Sequence, residues 1–342
     1  MRRPLIDAML SDQAVDELLS DEAQLAAMLR VEVALAKAEA AVGLIPLPAA
    51  GAIESAARDF TPDWDALAAG MQRDGVVVPR LVAQLRRAVG AEHGEALHKG
   101  ATSQDIIDTA LMLQLQPVLE LFGERLAAVL AALQALAATS GGAPLMAHTR
   151  MQAALPFTVG AKLRTWIEPL EQQQRALAAA GDLLAIQLGG PIGDRSSFDG
   201  KGDEIASHLA RGLGLADAPC WHSSRSRIAS LGSLLAQTTG TLGKLGSDIG
   251  LMAQSEVRAV RIEGGGSSSS MSHKANPVGA EHLVALAHHN AALAGTLFQA
   301  MVHENERSGA AWTLEWLTLP QMLRNTGGAL RIAAALVSAI RF

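Results

Sequence analysis

An all-α fold is the class that this sequence predicts, and three observations favour it. Hydrophobic residues make up 49% of the 342 residues, with Ala and Leu dominant, whereas aromatic residues make up only 3%. Ala and Leu are strong helix formers, and the aromatic side chains that strands prefer are scarce. Beyond about residue 98, apolar residues recur at helical spacing over long stretches with few breaks. We expect a small N-terminal helical domain over residues 1–100 and a long-helix bundle over residues 101–342.

The first hundred residues contain short helices separated by frequent breaks. Ser20 opens a helix whose apolar residues keep helical spacing until Gly43 ends it. A second helix starts at Thr61, which is expected to cap it with Pro62 in the first turn. A further short helix is expected over residues 80–89.

The bundle is predicted from four long helical patterns, over about residues 103–138, 156–184, 224–257 and 277–303. These lengths exceed the three turns of an average globular helix and are typical of a bundle. The third pattern contains five glycines, each of which costs about 1 kcal/mol relative to Ala in a helix interior. Close approach to other helices would offset that cost, so this pattern is interpreted as the core helix of an oligomeric bundle.

Composition excludes several classes of function. The net charge of −6 and the lack of a basic tract argue against nucleic-acid binding. Cys220 is the single cysteine, which rules out an intrachain disulfide and any metal site built on paired cysteines. The N-terminus lacks the pattern of a signal peptide, and the uncharged stretch over residues 126–149 is interrupted by Thr-Ser-Gly-Gly-Ala-Pro. We therefore expect a cytoplasmic protein that does not bind a membrane.

No cofactor or metal is expected. The glycines at 189–190 and at 264–266 do not follow a predicted strand, so neither group is a dinucleotide or phosphate-loop fingerprint. The spacing of Cys, His and carboxylate residues also indicates no metal site.

The most informative stretch is GGGSSSSMSHKANP, over residues 264–277. Gly and Ser leave a backbone mobile, yet this run ends in Met271, His273, Lys274 and Asn276. A hydroxyl-rich loop that leads to a fixed Lys and Asn is typical of an active-site lid. The alternative is a flexible Gly/Ser linker, which would not need these side chains.

A second stretch, HKGATSQD over residues 98–105, precedes a long helix. Thr102 or Ser103 can cap that helix, and the free N–H groups of its first turn can bind a carboxylate. The motif by itself is also compatible with an ordinary helix cap. A third stretch, TRMQAALP, covers residues 149–156.

Together the three stretches resemble the three conserved regions of the fumarase/aspartase superfamily. The loop resembles its Gly-Ser-Ser-x-Met-Pro-x-Lys-x-Asn signature, in which a serine is the catalytic base. Counting back six residues from Lys274 places that base at Ser268, although Ser267 replaces the usual Gly and Ser272 the usual Pro. The run of serines leaves the register open within Ser267–Ser270.

The resemblance implies a cofactor-free enzyme that acts on a small polycarboxylate. Ser268 would exchange a proton with substrate carbon, while Lys274 and Asn276 would bind the carboxylate that takes up the developing charge. Thr102, Ser103 and Gln152 would hold other carboxylate oxygens, and three cations would balance their charge. The predicted site comprises the catalytic residues Ser268 and Lys274 and the substrate-binding residues His98, Thr102, Ser103, Arg150, Gln152, Met271, Asn276 and Arg307.

Met151 distinguishes branches of the superfamily. Most members have a His at this position, and Met cannot transfer a proton. The branch of bacterial 3-carboxy-cis,cis-muconate cycloisomerases lacks this His, so the resemblance implies interconversion of 3-carboxy-cis,cis-muconate and 4-carboxymuconolactone. The alternatives are a fumarate-releasing lyase of the adenylosuccinate or argininosuccinate type and a helical scaffold without catalytic activity.

The resemblance also implies an assembly. Superfamily active sites are formed by three subunits, so we expect a homotetramer with sites shared between subunits. Many members carry a third, C-terminal helical domain. Because this sequence ends at Phe342, soon after the last bundle pattern, we expect that domain to be absent or reduced.

Overall fold

The computed structural model describes residues 5–267, 270–271 and 275–342, and it confirms a predominantly helical fold. Short helices occupy the first hundred residues. They are α1 (Leu5–Leu10), α2 (Gln13–Leu18), α3 (Asp21–Ala41), α4 (Leu47–Arg58), α5 (Trp64–Asp74) and α6 (Val78–Val89). The side chain of Ser20 accepts the Ala23 N–H and caps α3 as predicted.

Longer helices form the bundle, with α9 (Gly202–Leu213) packed against α3 at its side. Within the bundle, α10 lies against α11 and α11 against α12, while α7 contacts α3, α8 and α12. The bundle helices are α7 (Ser103–Ser140), α8 (Val159–Ala179), α10 (Ser226–Met252), α11 (Val278–Gln299) and α12 (Ala310–Ala339).

Three two-stranded antiparallel ribbons interrupt the helices in the described chain. The longest joins β1 (Pro144–Thr149) to β2 (Gln152–Thr158) in a hairpin. A second joins β3 (Arg261–Ile262) to β6 (Ile340–Arg341), and a third joins β4 (Gly266–Ser267) to β5 (Ala275–Asn276).

Two predicted helix starts are wrong. The helix expected from residue 156 begins at Val159, because Pro156 is paired with Met146 in the hairpin and Thr158 caps the helix through the Ala161 N–H. Likewise, Thr61 does not cap α5. Asp63 does so instead, by accepting the Ala66 N–H at 3.0 Å.

Helix α12 was not predicted as a separate element. It contains Pro320 and a Gly327-Gly328 pair, which weaken a helical pattern. Tertiary packing explains the glycines. A Cβ added to Gly328 would lie 2.0 Å from the carbonyl oxygen of Leu10, so the N-terminal segment lies directly on this helix.

The small-residue face of α10 packs closely as expected. A Cβ on Gly246 would lie 2.7 Å from the Ala280 carbonyl oxygen, and one on Gly243 would lie 2.5 Å from the Ala287 Cβ. Both contacts are to α11. At Gly240 the space is open, so this glycine is not explained by packing within the chain.

By length and composition, α7 is the one described helix that could cross a membrane. Such a test is also met by the core helices of soluble proteins. The first part of α7 carries buried Gln104, Asp105 and Asp108, whose partners are other protein groups. These contacts place the first part of α7 in the core of the chain.

Candidate active site

The N-terminus of α7 is built around a cap. Thr102 has extended backbone angles and is the N-cap, as the sequence predicted, and Ser103 is the first helical residue. The backbone N–H of Thr102 donates to Asp105 Oδ2 at 2.9 Å. This arrangement fixes the first turn of a 38-residue helix, at the end where backbone N–H groups favour anions.

Asp105 also holds a neighbouring loop against this helix end. It is 1% exposed, and it accepts the N–H groups of Gly189 at 2.8 Å and Gly190 at 3.0 Å. Gly190 has a φ of 71° and lies so close that a Cβ would be 2.9 Å from the Gly100 carbonyl oxygen. Only glycine meets both requirements, so the 189–190 loop is fixed at the first turn of α7.

His222 also contacts the carboxyl group of Asp105. Its Nε2 lies 2.8 Å from Asp105 Oδ1, and the ring is 2% exposed. Burial alone would lower the pKa of His222, but Asp105 and the neighbouring Cys220 raise it to about 9. His222 is therefore an imidazolium at neutral pH, and it lies against the carboxyl group of Asp105.

Arg307 reaches this helix end from the segment before α12. Its Nη1 donates to Thr102 Oγ1 at 2.9 Å, and its Nη2 donates to the Pro191 carbonyl oxygen at 3.0 Å. Arg307 and Thr102, which are 205 positions apart in sequence, are thus brought together. The guanidinium adds a permanent positive charge where the N–H groups of α7 already favour an anion.

His98 lies just before the cap, in a strained conformation. Its φ of 60° is in the left-handed region, and its Nδ1 lies 2.7 Å from Glu32 Oε1. Burial opposes protonation of the ring, but the charge and hydrogen bond of Glu32, helped by the charge of Asp105, raise the pKa of His98. His98, Thr102 and Arg307 therefore form one positively charged corner, which also includes Ser103.

The second predicted region lies at the tip of the β1–β2 hairpin. Thr149 pairs with Gln152, so Arg150 and Met151 form a two-residue turn with positive φ values of 49° and 65°. Arg150, Met151 and Gln152 are exposed, and Met151 is 74% exposed. The tip projects from the chain rather than into it.

The third region lies on the β4–β5 ribbon. Asn276 is half-buried in β5, and Met271 is exposed between the strands. Gly266 packs tightly, since a Cβ there would lie 2.5 Å from Val278 Cγ2. Ser268 and Lys274 lie outside the described residues, so their predicted roles stay predictions.

Among the described residues, the structure brings Arg307 to Thr102 and Ser103 at the start of α7, with His98 just before the cap. Thr149 and Gln152 pair with each other in the hairpin, and Asn276 pairs with Gly266 in the third ribbon. Among the described residues, no group of three His, Cys, Asp or Glu side chains is arranged to hold a metal ion.

Sequence reasoning missed Asp105, Glu32 and His222 as parts of the site. The signal for Asp105 was its position three residues after Thr102, the spacing at which an acidic side chain reaches back to an N-cap. The signal for Glu32 was an acidic residue on the apolar face of α3. His222 had no signal of its own, because its partner is distant in sequence.

Comparison with known proteins agrees with this architecture. A family model described as a lyase matches residues 7–289. The 3-carboxy-cis,cis-muconate cycloisomerase of Bradyrhizobium diazoefficiens is 40% identical over 96% of this chain and 74% of that enzyme. Its counterpart from Acinetobacter baylyi is 38% identical over 92% of this chain and 72% of that enzyme.

A solved structure gives the same result. The crystal structure of the 3-carboxy-cis,cis-muconate lactonizing enzyme from Pseudomonas putida superposes with a TM-score of 0.91 and 36% identity, covering 99% of this chain and 77% of that one. The fold, the order of the three regions and these matches lead to one conclusion: the chain belongs to the fumarase/aspartase superfamily of lyases, on the branch that contains the bacterial 3-carboxy-cis,cis-muconate cycloisomerases.

Proposed function

We propose that this chain is a cycloisomerase that interconverts 3-carboxy-cis,cis-muconate and 4-carboxymuconolactone, in the protocatechuate branch of the β-ketoadipate pathway. The observation that carries the proposal is the positively charged corner at the start of α7. There, His98 and Arg307 flank a helix N-terminus whose N–H groups favour anions. Relatives that share up to 40% identity over most of the chain carry this activity in their names.

The reaction requires such a corner. In lactone closure, one substrate carboxylate adds across a double bond, and the adjacent carbon gains a proton. In the reverse direction, that proton is removed next to a second carboxylate. Both directions pass through an enolate-like species with additional negative charge on the carboxylate oxygens. Fixed cations and preorganised N–H donors stabilise this charge more effectively than water does.

Each predicted residue has a role in this scheme. Ser268 exchanges the proton with carbon, and Lys274 and Asn276 hold the carboxylate that takes up the enolate charge. A serine hydroxyl is a very weak base in water, so the loop must supply N–H donors, the Lys274 charge and exclusion of water. Thr102, Ser103, Gln152 and the cations His98, Arg150 and Arg307 bind the remaining carboxylates, with Met271 in the lid.

Met151 is compatible with this chemistry. The group that leaves in the reverse reaction is a carboxylate, which is stable as an anion and needs no proton. A lyase that releases an amine benefits from an acid at that point, and the exposed thioether of Met151 cannot act as one. This difference favours the cycloisomerase over a fumarate-releasing lyase.

The same proposal includes a homotetramer whose sites are shared between subunits. Only 28% of the most apolar 18-residue stretch of α7 is buried within the chain, and the β1–β2 hairpin exposes Met151 and Leu155. Partner subunits would cover these surfaces and bring the hairpin tip to another chain's α7.

We also propose that the chain acts in the cytoplasm and that residues 1–100 form a domain distinct from the bundle.

The direct test follows the conjugated diene of 3-carboxy-cis,cis-muconate by its ultraviolet absorbance. Purified protein is expected to remove the diene and produce the lactone without added metal or cofactor. Argininosuccinate and adenylosuccinate serve as comparison substrates. Fumarate release from either one, with no loss of diene, would refute the proposal and establish the lyase instead.

A serine scan tests the register of the base. Ser268→Ala is expected to reduce turnover by on the order of a thousandfold or more, because the general base is lost. The matched variants Ser267→Ala, Ser269→Ala and Ser270→Ala should retain most of the activity. Circular dichroism checks that each variant folds, and full turnover by Ser268→Ala would show that another group is the base.

A further inference from the structure

Two glutamates lie on the buried face of α3, two helical turns apart. Glu32 and Glu39 are seven residues apart, so they occupy the same face of the helix, and they are 1% and 0% exposed. Three of their four carboxyl oxygens have no hydrogen-bond partner among the described residues: Glu32 Oε2 and both oxygens of Glu39. The mechanism above uses neither residue, and buried carboxyls with so few partners need an explanation.

The two carboxyls differ in their partners. Burial, followed by the charge of Glu32, raises the pKa of Glu39 to about 9, although Lys99 opposes the shift. Glu39 therefore keeps its proton at neutral pH. Glu32 Oε1 instead lies 2.7 Å from Nδ1 of His98, so Glu32 is the member of the pair that contacts a basic side chain.

His98 is held rigidly in front of Glu32. Its left-handed backbone costs about 1 kcal/mol or more for a residue with a Cβ, and such strain persists only where neighbours enforce it. Here Arg86 donates to the Leu97 carbonyl oxygen at 3.1 Å, and Lys99 donates to the Leu44 carbonyl oxygen at 3.0 Å. Both residues that flank His98 are thereby anchored to other parts of the chain.

The hydrogen bond between Nδ1 and Glu32 leaves Nε2 as the nitrogen of His98 that can bind a ligand. Nδ1 is engaged by Glu32, whereas Nε2 has no partner among the described residues, and the side chain is 15% exposed. The free nitrogen is therefore the one that a ligand can reach. Asp105 adds a second negative charge near the ring and Arg86 adds a positive one, and the two carboxylates prevail.

We propose that Glu32 is a positioning residue, which holds His98 as an imidazolium whose Nε2–H donates to a substrate carboxylate. The hydrogen bond from His98 to a substrate carboxylate rests on the proposed function. The protonation of the His98 ring by virtue of Glu32 does not depend on that function. Glu39, which keeps its proton, adds no negative charge of its own to this face of α3.

Hydrogen–deuterium exchange at the imidazole Cε1 position tests the state of the ring without using activity. The exchange rate of the His98 peptide, measured by mass spectrometry against pH, reports the pKa of that ring. The whole protein is compared with Glu32→Gln and Glu39→Gln, two identical substitutions on one face of α3. Each variant is first checked for its helix content and thermal unfolding.

In the unaltered protein and in Glu39→Gln, we expect the exchange rate of His98 to change with a midpoint above pH 6.5, the ordinary pKa of His. In Glu32→Gln the midpoint should fall by at least one pH unit, because the charge that stabilises the imidazolium is gone and burial then dominates. An unchanged midpoint in Glu32→Gln, or an equal fall in Glu39→Gln, would overturn the proposal.

The diene assay adds a kinetic readout. Glu32→Gln should raise KM about tenfold or more at neutral pH with a smaller effect on kcat, and the loss of kcat/KM at high pH should move to lower pH. Glu39→Gln should keep the original profile. A merely structural role for Glu32 would reduce activity equally at every pH, which contradicts the proposal. If no variant removes the diene, the proposed function fails, while the exchange result still decides the state of His98.

Discussion

Glu39 shows how one buried carboxyl affects the stability of the protein. Its pKa is raised from 4.5 to about 9 by burial and by Glu32. Between these values the unfolded chain loses the proton and the folded chain keeps it. Stability is therefore greatest below pH 4.5 as far as this group is concerned, and it falls by about 1.4 kcal/mol per pH unit as pH rises toward 9.

Glu39→Gln removes this dependence, because Gln is uncharged in both states. We expect the variant to be more thermostable than the unaltered protein, with a difference in Tm that grows between about pH 5 and about pH 8.5. Thermal unfolding followed by circular dichroism at several pH values measures it. A difference that is constant with pH would show that Glu39 is ionised in the folded protein.

At the residue scale, local spacing was predictable and distant pairing was not. A Thr-Ser pair before a helical pattern predicts a cap at Thr102 or Ser103, and in the structure Thr102 is the N-cap. The contact between His222 and Asp105 joins residues 117 positions apart, so nothing in the local sequence predicts it. Arg307 was selected because a polyanionic substrate needs cations, and the structure adds its contact with Thr102.

In the β1–β2 hairpin, the stability of the turn and its proposed role in binding substrate can be tested separately. Its two-residue turn has positive φ at both central positions, which Asn-Gly tolerates and Arg-Met does not. Sequence reasoning missed the hairpin: a long helix was expected from Pro156, and no strand was predicted on either side of the turn. The strained tip is retained at an exposed position, as expected if Arg150 acts on substrate in a neighbouring subunit.

Replacing Arg150 and Met151 together with Asn and Gly separates the two roles. We expect an unchanged or higher Tm, because the turn is relieved of strain, and a fall in kcat/KM of about a hundredfold, because a carboxylate-binding cation is lost. Thermal unfolding and the diene assay provide the two measurements. Activity close to that of the original protein would show that the tip has no part in the site.

A buried ion-pair cluster joins the bundle helices. Arg225, the N-cap residue of α10, makes paired hydrogen bonds to Asp108 on α7 and to Glu315 on α12, at distances of 2.6–3.1 Å. The guanidinium is 1% exposed and lies 4.6 Å from the centre of the Trp221 ring. Burial opposes ionisation of Asp108, but Arg225 and nearby amides hold its pKa below the ordinary value.

Arg225→Met is expected to destabilise the protein by about 3–5 kcal/mol, because two carboxylates would remain buried without their cation. Arg227→Met, two residues along α10, is the matched control. Among the described residues, Arg227 donates hydrogen bonds to the backbone carbonyl oxygens of Asp182 and Leu183 and to no carboxylate, so its loss should have a smaller effect. Urea unfolding compares the two variants, and equal effects would contradict the account of the cluster.

At the scale of the whole molecule, the fold class followed from composition and helical spacing, and the comparisons confirm the family. The long helices were predictable because a 3.6-residue period is a local property. The packing of Gly328 against Leu10 and the ribbon between β3 and β6 were not, because each joins distant segments. The exposed hairpin tip fits the proposal that more than one chain completes each site.

Mixing two inactive variants tests the central claim most directly. Ser268→Ala removes the predicted base, and Gln152→Ala removes a predicted substrate contact on the hairpin. Each variant alone should remove little or no diene. If one site is formed by several chains, subunits mixed by mild unfolding and refolding should regain activity far above either parent, because some sites then contain neither substitution. Mixtures that remain as inactive as the parents would contradict the account.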